Sequence, residues 1–191
     1  MEELKVSSLG EAIYPRLQVA DTKFDKDGVY TCKLKVKKTE ATDMLNDIKS
    51  ALVDSLNDAK NSNKGKDIKE APPPYKVDGD NVIFNFKVKA SGINSKTDER
   101  YERRIRILDS QKNPIPMDKM IGNGSKIRLV YLPKKYYSPA IGSGVTLQPR
   151  IVQVVELKEY ASSQGDNLLD KLDGFSLDEE QEVTVNDEAD F

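Results

Sequence analysis

Basic and aromatic residues are interleaved most densely in the segment Lys134-Lys-Tyr-Tyr137, which is followed by Gly142-Ser-Gly144. A cationic side chain can neutralise a phosphate, and an aromatic ring can stack on an exposed base. This combination favours a single-stranded nucleic acid, because a duplex hides its base faces. The alternative is that one tyrosine packs at the rim of the fold and the lysines are only solvated. We predict DNA contacts for Lys134, Lys135, Tyr136 and Tyr137.

Further cationic residues recur at every second position along three other segments. Successive side chains of a strand point to opposite faces, so each such pair projects from one side of its strand. If the segments are neighbouring strands, their pairs merge into one basic stripe. The alternative for any single lysine is the wet face of an ordinary sheet, and Arg150 fits either interpretation. The predicted stripe contains Lys33, Lys35, Lys87, Lys89, Arg104 and Arg106, with Arg150 as a further candidate.

The residue inventory argues against catalysis and metal binding. The chain has no histidine and one cysteine, Cys32, so zinc sites built from these residues are excluded. Gly122-Asn-Gly-Ser-Lys126 does not match a phosphate-binding loop. The carboxylates of Asp178–Glu182 lack the rigid scaffold that a catalytic metal site needs. We therefore predict no catalytic residue, no metal site and no cofactor.

Charge is distributed unevenly along the 191 residues. The net charge is −2, but Gly165–Phe191 alone carries ten carboxylate residues and one lysine, which leaves +7 on the remainder. A basic body with an acidic tail suggests nucleic acid as the partner of the body. The tail ends in a phenylalanine, which does not aid solubility and instead suggests recognition by a partner. The residues predicted to bind that partner are Asp187, Glu188, Asp190 and Phe191.

The pattern of the body predicts strands interrupted by one helix. Strands are expected at Arg16–Phe24, Val29–Lys37, Val82–Lys89, Tyr101–Leu108, Lys126–Leu132 and Val145–Leu157. The first two are joined by an Asp-Gly turn ending at Gly28. A helix over about Glu40–Lys60 has Thr39 as its expected N-cap and an apolar stripe that includes Met44 and Ile48. Pro133–Gly144 is expected to form a loop.

These elements predict a mainly β fold: an OB-fold-like antiparallel β-barrel with one interrupting α-helix. The strand count alone leaves sandwiches and other barrels open, and the basic strands favour the OB-fold. We assign residues 1–164 to an OB-fold-like core that binds single-stranded DNA, and residues 165–191 to an acidic, disordered tail.

Several of these segments resemble the single-stranded DNA-binding proteins of bacteriophage replication systems. The resemblance rests on Gly124-Ser-Lys, Tyr136-Tyr, Gly144-Val-Thr-Leu-Gln and Val152-Gln-Val-Val155, together with the opening hairpin. It implies an OB-fold core and a role in DNA replication, recombination and repair. It also implies that the tail contacts a DNA polymerase or primase-helicase. By this resemblance, the residues that line the DNA-binding groove are Tyr136, Tyr137 and the basic residues that flank them. The polar stretch around Lys64 and the triple proline depart from the family pattern.

The sequence therefore predicts a protein, not an enzyme, that coats single-stranded DNA without strong sequence preference and recruits partners through its tail. A phage structural or interaction module acting through the acidic tail, as a DNA mimic or assembly factor, is the alternative. The N-terminus resembles no signal peptide, and no apolar stretch is long enough to span a membrane. We expect the cytoplasm of the bacterial host cell and no membrane partner, and a homodimer is compatible with the sequence.

Overall fold

The computed structural model describes residues 3–64, 66–94 and 97–159, which form ten strands and one long helix. Helix α1 (Thr42–Ser62) follows the third strand. The strands are β1 (Lys5–Val6), β2 (Gly10–Asp21), β3 (Val29–Lys37), β4 (Tyr75–Asp78), β5 (Asn81–Lys89), β6 (Ser91–Ile93), β7 (Arg100–Glu102), β8 (Arg106–Leu108), β9 (Lys126–Ser138) and β10 (Gly142–Glu156).

Five of the strands close into a barrel. Their order is β9, β2, β3, β5 and β10, and β10 then pairs with β9 again. A closed five-stranded barrel of this kind is the OB-fold architecture. The predicted mainly β, OB-fold-like barrel with one interrupting helix is confirmed. The prediction that the barrel is antiparallel is wrong for one strand: β10 runs parallel to both β5 and β8. The chain reaches β10 from each of these strands by a long crossover, which a count of strands cannot reveal.

The alternation in β3 and β5 places one face of each strand in the barrel core. Phe84 and Phe86 of β5 are fully buried, opposite Leu34 and Cys32 of β3. The ring of Phe86 meets Tyr131 edge-on, with the centroids 5.3 Å apart. Burial raises the pKa of the Cys32 thiol to about 12, so the thiol stays protonated and packs as a small apolar group. The opposite faces of both strands are left for solvent or ligand.

The turn between β2 and β3 forms as the sequence predicts. The backbone N–H of Gly28 donates to the carbonyl of Asp25 at 2.9 Å, and Gly28 has a φ of 71°. Glycine adopts this left-handed conformation without steric cost, which explains the Asp-Gly pair at the end of the turn.

Helix α1 packs its apolar stripe against β9 and β10. Met44, Ile48, Ser55 and Ala59 are buried along this face. The predicted cap is wrong: Ala41 occupies the N-cap position and no side chain caps the helix there. Thr39 lies in a turn, in which Glu40 N–H and Ala41 N–H already donate to backbone carbonyls. No helix in the described part of the chain is both long and apolar enough to cross a bilayer.

The predicted strands Arg16–Phe24 and Tyr101–Leu108 are among those whose boundaries differ in the structure. β2 begins at Gly10, not Arg16, and a bulge between Ile13 and Arg16 shifts its alternation out of the simple two-residue period. The expected strand Tyr101–Leu108 is two strands. β7 pairs with β6 and β8 pairs with β10, and the break occurs where Arg103 N–H donates to the carbonyl of Ala90.

Candidate nucleic-acid interface

The outer faces of β3 and β5 bring two predicted lysines together. Lys33 lies opposite Asn85 and Lys87 lies opposite Thr31, so the lysines are diagonal neighbours on one face of the sheet. Both are exposed. Within the described residues, neither has a carboxylate at ion-pair distance. Two exposed ammonium groups on one face can bind successive phosphates of an extended strand.

Two arginines continue the basic face beyond β5. Leu147 of β10 pairs in parallel with Phe86, so the next residues along, Gln148 and Lys87, both point outward. The Arg150 guanidinium donates to Gln148 Oε1 at 3.1 Å, which keeps Arg150 on this outer face. Arg106 of β8 is exposed and pairs with Ile151. The predicted stripe therefore has a structural basis, because β3, β5, β10 and β8 are consecutive neighbours in the sheet.

The two remaining lysines of the stripe have acidic neighbours. Lys89 Nζ lies 3.1 Å from Asp25 and 4.0 Å from Asp27, both in the turn after β2. The hydrogen bond from Lys89, with that from the Asp27 N–H, lowers the pKa of the Asp25 carboxyl. Lys35 lies opposite Ile83 and also opposite Glu11 of β2, but the Glu11 carboxylate forms its ion pair of 3.4 Å with Lys126. Among the described residues, Lys89 is therefore the lysine of the stripe whose charge is offset by ion pairs.

Arg104 does not lie on a strand with Arg106. It is exposed in the irregular link between β7 and β8, so the alternation argument that paired these two arginines is wrong. Arg103, which precedes it, stacks its guanidinium over the Tyr101 ring at 5.0 Å and donates to the carbonyl of Lys89 at 3.0 Å. These contacts of Arg103 anchor the chain where it passes from β7 to β8.

The segment Lys134–Tyr137 is part of a hairpin, not a loop. β9 continues to Ser138 and β10 begins at Gly142, so the expected loop Pro133–Gly144 shortens to the tip of a long hairpin. The error has a physical cause. This end of the hairpin lies over α1, beyond the barrel core, and its residues show no apolar alternation.

The four predicted residues of the hairpin have different environments. Lys135 forms an ion pair of 2.6 Å with Asp58 of α1. Tyr136 lies opposite Gly144, and Tyr137 lies opposite Ser143. Both tyrosines are half-buried, whereas Lys134 is exposed. Tyr136, Tyr137 and Lys135 border one small cleft against the end of α1, so these side chains contact the helix as well as solvent.

The structure adds Tyr14, which the sequence reasoning missed. The residue is 72% exposed beside the groove between β2, β3 and β5, a cavity of about 340 Å³ that Lys33 and Lys87 also line. An aromatic ring beside two lysines is the combination that binds single-stranded nucleic acid. Tyr14 comes early in the chain, far in sequence from Lys33 and Lys87. Its position beside these lysines therefore could not be predicted from sequence proximity. The sequence offered no signal for it, because its exposure beside the two lysines exists only in the folded barrel.

The predicted tail residues Asp187, Glu188, Asp190 and Phe191 lie outside the described residues. In the parts of the chain that the structure describes, no group of three histidine, cysteine or acidic side chains is arranged to hold a metal ion.

A family profile described as the single-stranded DNA-binding protein of bacteriophage T7 matches residues 10–157, which include the whole barrel. The chain belongs to the bacteriophage T7 single-stranded DNA-binding protein family. This confirms the predicted resemblance to phage single-stranded DNA-binding proteins. The family consists of DNA-binding proteins that are not enzymes, in agreement with the prediction from sequence.

Individual members are similar over part of their length. The single-stranded DNA-binding protein of Enterobacteria phage T3 is 30% identical over 139 residues, covering 64% of this chain and 60% of the relative. That of Escherichia phage T7 is 31% identical over 99 residues, covering 51% and 43%. The matched region thus spans less than two thirds of either relative.

Solved structures show the same fold. Phage T7 gp2.5, a single-stranded DNA-binding protein, superposes with a TM-score of 0.73 at 24% identity, covering 92% of this chain and 99% of gp2.5. The single-stranded DNA-binding protein of bacteriophage Enc34, solved in complex with single-stranded DNA, gives 0.59 at 16% identity, covering 82% and 88%. Because the sequence identities are low, these two structural similarities show the OB-like fold of this chain and no more.

Proposed function

We propose that the chain binds single-stranded DNA, without strong sequence preference, across the outer face of β3, β5 and β10. The observation that carries this proposal is the pair Lys33 and Lys87 beside the exposed ring of Tyr14. β3 and β5 are the second and third strands of the barrel, and OB-folds bind oligonucleotides on that face. Membership of the T7 single-stranded DNA-binding protein family supports the same function.

The expected mode of binding is tolerant of sequence. Lysines hold the backbone through charge, and an aromatic ring can stack on any base, because every base has a π-face. Arg150 and Arg106 extend the path of the strand toward β8. Such a protein acts during phage DNA replication and recombination in the cytoplasm of the host cell.

The acidic segment is assigned a second role, the recruitment of replication proteins such as a polymerase or primase-helicase. Its support is the formal charge of −9 on residues 165–191 and the terminal phenylalanine. An acidic chain tethered to a basic groove also competes with DNA in cis, at an effective concentration on the order of millimolar. DNA binding then releases the segment for its partner.

A competition experiment tests DNA binding. A labelled oligo-dT is bound to the full chain and displaced with unlabelled oligo-dT or with a blunt duplex of equal nucleotide content. The proposal requires that the single strand compete more strongly and that affinity fall steeply with salt. Equal or stronger competition by the duplex would contradict it. An absence of oligo-dT binding at low salt would instead support an interaction module acting through the acidic segment.

A further inference from the structure

A second cleft lies on the other side of Tyr14 from the lysine-lined groove. It has a volume of about 410 Å³ and is lined by Tyr14, Arg16, Val19, Met120 and Asn123, among others. Cavities of about 300–1,000 Å³ are typical of small-ligand sites. Tyr14 borders both cavities, so a ligand in the cleft is adjacent to one that lies along the groove.

The cleft is built between two segments that hydrogen bonds hold together. Gln18 of β2 is buried; its Nε2 donates to the carbonyl of Lys119 at 2.6 Å, and its Oε1 accepts from the N–H of Ile121 at 2.9 Å. The N–H of Tyr14 donates to Oδ1 of Asn123 at 2.5 Å. These three bonds fix the wall formed by residues 119–123 against β2, so the cleft exists before any ligand binds.

The backbone of Tyr14 is strained in a way that displays its ring. Its φ of 47° lies in the left-handed region, which is uncommon for a bulky residue, and the residue sits within the bulge of β2. Strain of this kind persists only where the surroundings impose it, and it is concentrated at functional sites. Here the Asn123 amide holds the backbone N–H of Tyr14, which is 72% exposed as a residue and lies near Val19, itself 62% exposed.

We propose that this cleft binds a single unstacked nucleobase, with the Tyr14 ring as the stacking platform. The inference rests on the proposed binding of single-stranded DNA. A strand whose phosphates follow Lys33 and Lys87 passes Tyr14, where one base can turn into the cleft and leave its backbone on the basic face. The apolar atoms of Val19 and Met120 suit a base face. The Arg16 guanidinium, which also lines the cleft, is in an ion pair of 3.6 Å with Asp21, so we assign it no phosphate.

Asn123 gives the cleft a preference among bases. Because its Oδ1 already accepts the Tyr14 N–H, the Nδ2 donor is the group of the amide that a base can meet without competing with that bond. A donor at the wall of the cleft favours a base that presents a carbonyl oxygen at its edge. Thymine does so and adenine does not.

The test uses the full chain and two oligo-dT probes, one intact and one with a single abasic site moved through the bound stretch. For the wild-type protein, at least one abasic position should weaken binding. Tyr14→Asn removes the ring while keeping a residue that tolerates the left-handed backbone. It should weaken binding of intact oligo-dT by about 5- to 150-fold, the range expected for one stacked base, and leave the salt dependence unchanged. Tyr14→Phe should bind as the wild type does.

Two further variants complete the design. Asn123→Asp keeps the acceptor for the Tyr14 N–H but replaces the Nδ2 donor with an oxygen. Its new charge weakens binding of both probes alike and leaves the difference between their affinities unchanged. Because the donor to the base is lost, this difference should shrink. Val53→Asn, at an exposed position of α1, is the control and should change nothing.

The inference is overturned if no abasic position affects the wild-type protein, or if Tyr14→Asn melts normally and binds intact oligo-dT as tightly as wild type. In either case salt-dependent binding of oligo-dT still upholds the proposed function. Failure of the wild-type protein to bind oligo-dT contradicts both.

Discussion

The ring of Tyr136 lies across Gly144 on the neighbouring strand of the hairpin, so close that a Cβ at Gly144 would come within 2.6 Å of the tyrosine hydroxyl. The same stretch of β10 is tied to the helix: Ser55 Oγ of α1 donates to the carbonyl of Gly144 at 2.9 Å and lies 2.8 Å from Ser143 Oγ. Tyr136 therefore helps to hold the hairpin together. Tyr137, opposite Ser143, is the better candidate for contact with a base.

This difference predicts opposite behaviour for the two tyrosines. Tyr136→Ala and Gly144→Ala should both lower the melting temperature. Tyr136→Ala removes the ring that covers Gly144. Gly144→Ala adds a Cβ that displaces this ring, and such overpacking costs about 1–3 kcal/mol. Tyr137→Ala should leave the melting temperature nearly unchanged and weaken oligo-dT binding by roughly 1–3 kcal/mol. Thermal melts and fluorescence titrations measure both quantities. A folded Tyr136→Ala variant that loses DNA affinity while Tyr137→Ala retains it would reverse the assignment.

The sequence predicted the parts of the structure in which local pattern and burial agree. β3 was placed correctly at both ends because its alternation is regular and its turn has an Asp-Gly pair. The hairpin ends of β9 and β10 were missed because their residues pack on α1 instead of filling the barrel. The site shows the same division. Lys33 and Lys87 followed from alternation, but Tyr14 became visible only when the barrel brought β2 beside β3.

The ion pair of Lys89 predicts that adjacent outward-facing lysines of β5 differ in importance. Lys87→Gln should weaken oligo-dT binding more than Lys89→Gln, because Asp25 and Asp27 already offset the charge of Lys89. Parallel titrations of the two variants measure this. Equal losses of affinity would show that DNA displaces the aspartates.

The same pair predicts a pH effect on stability. Lys89 lowers the pKa of Asp25, so the contribution of this carboxylate is present at neutral pH and is lost as the pH falls through the lowered pKa. In Lys89→Gln the Asp25 pKa should rise toward its ordinary value. An NMR titration of the carboxyl carbons measures the change, and an unaltered Asp25 pKa would contradict the assignment of Lys89 as its main cause.

Truncation of the acidic segment tests competition in cis. Deleting Asp178–Phe191 removes seven carboxylate side chains and should raise oligo-dT affinity, most clearly at low salt, because competitor and DNA both act through screened charge. Phe191→Ala should leave DNA affinity unchanged, since the ring adds no charge, and should impair capture of the proposed partner, a phage polymerase or primase-helicase. If affinity stays constant across a salt series after truncation, the segment does not compete for the groove.

DNA binding on the outer face of β3 and β5 is tested most directly by the salt dependence of oligo-dT binding when Lys33 and Lys87 are both replaced. Each phosphate contact contributes a slope of about −0.7 to log K against log salt for a single strand, so Lys33→Gln with Lys87→Gln should make the slope shallower by about 1.4. The matched control, Lys49→Gln with Lys60→Gln, removes the same charge from exposed positions on α1. We predict a shallower slope for the first pair and a wild-type slope for the control. Equal slopes in all three proteins would contradict DNA binding on this face.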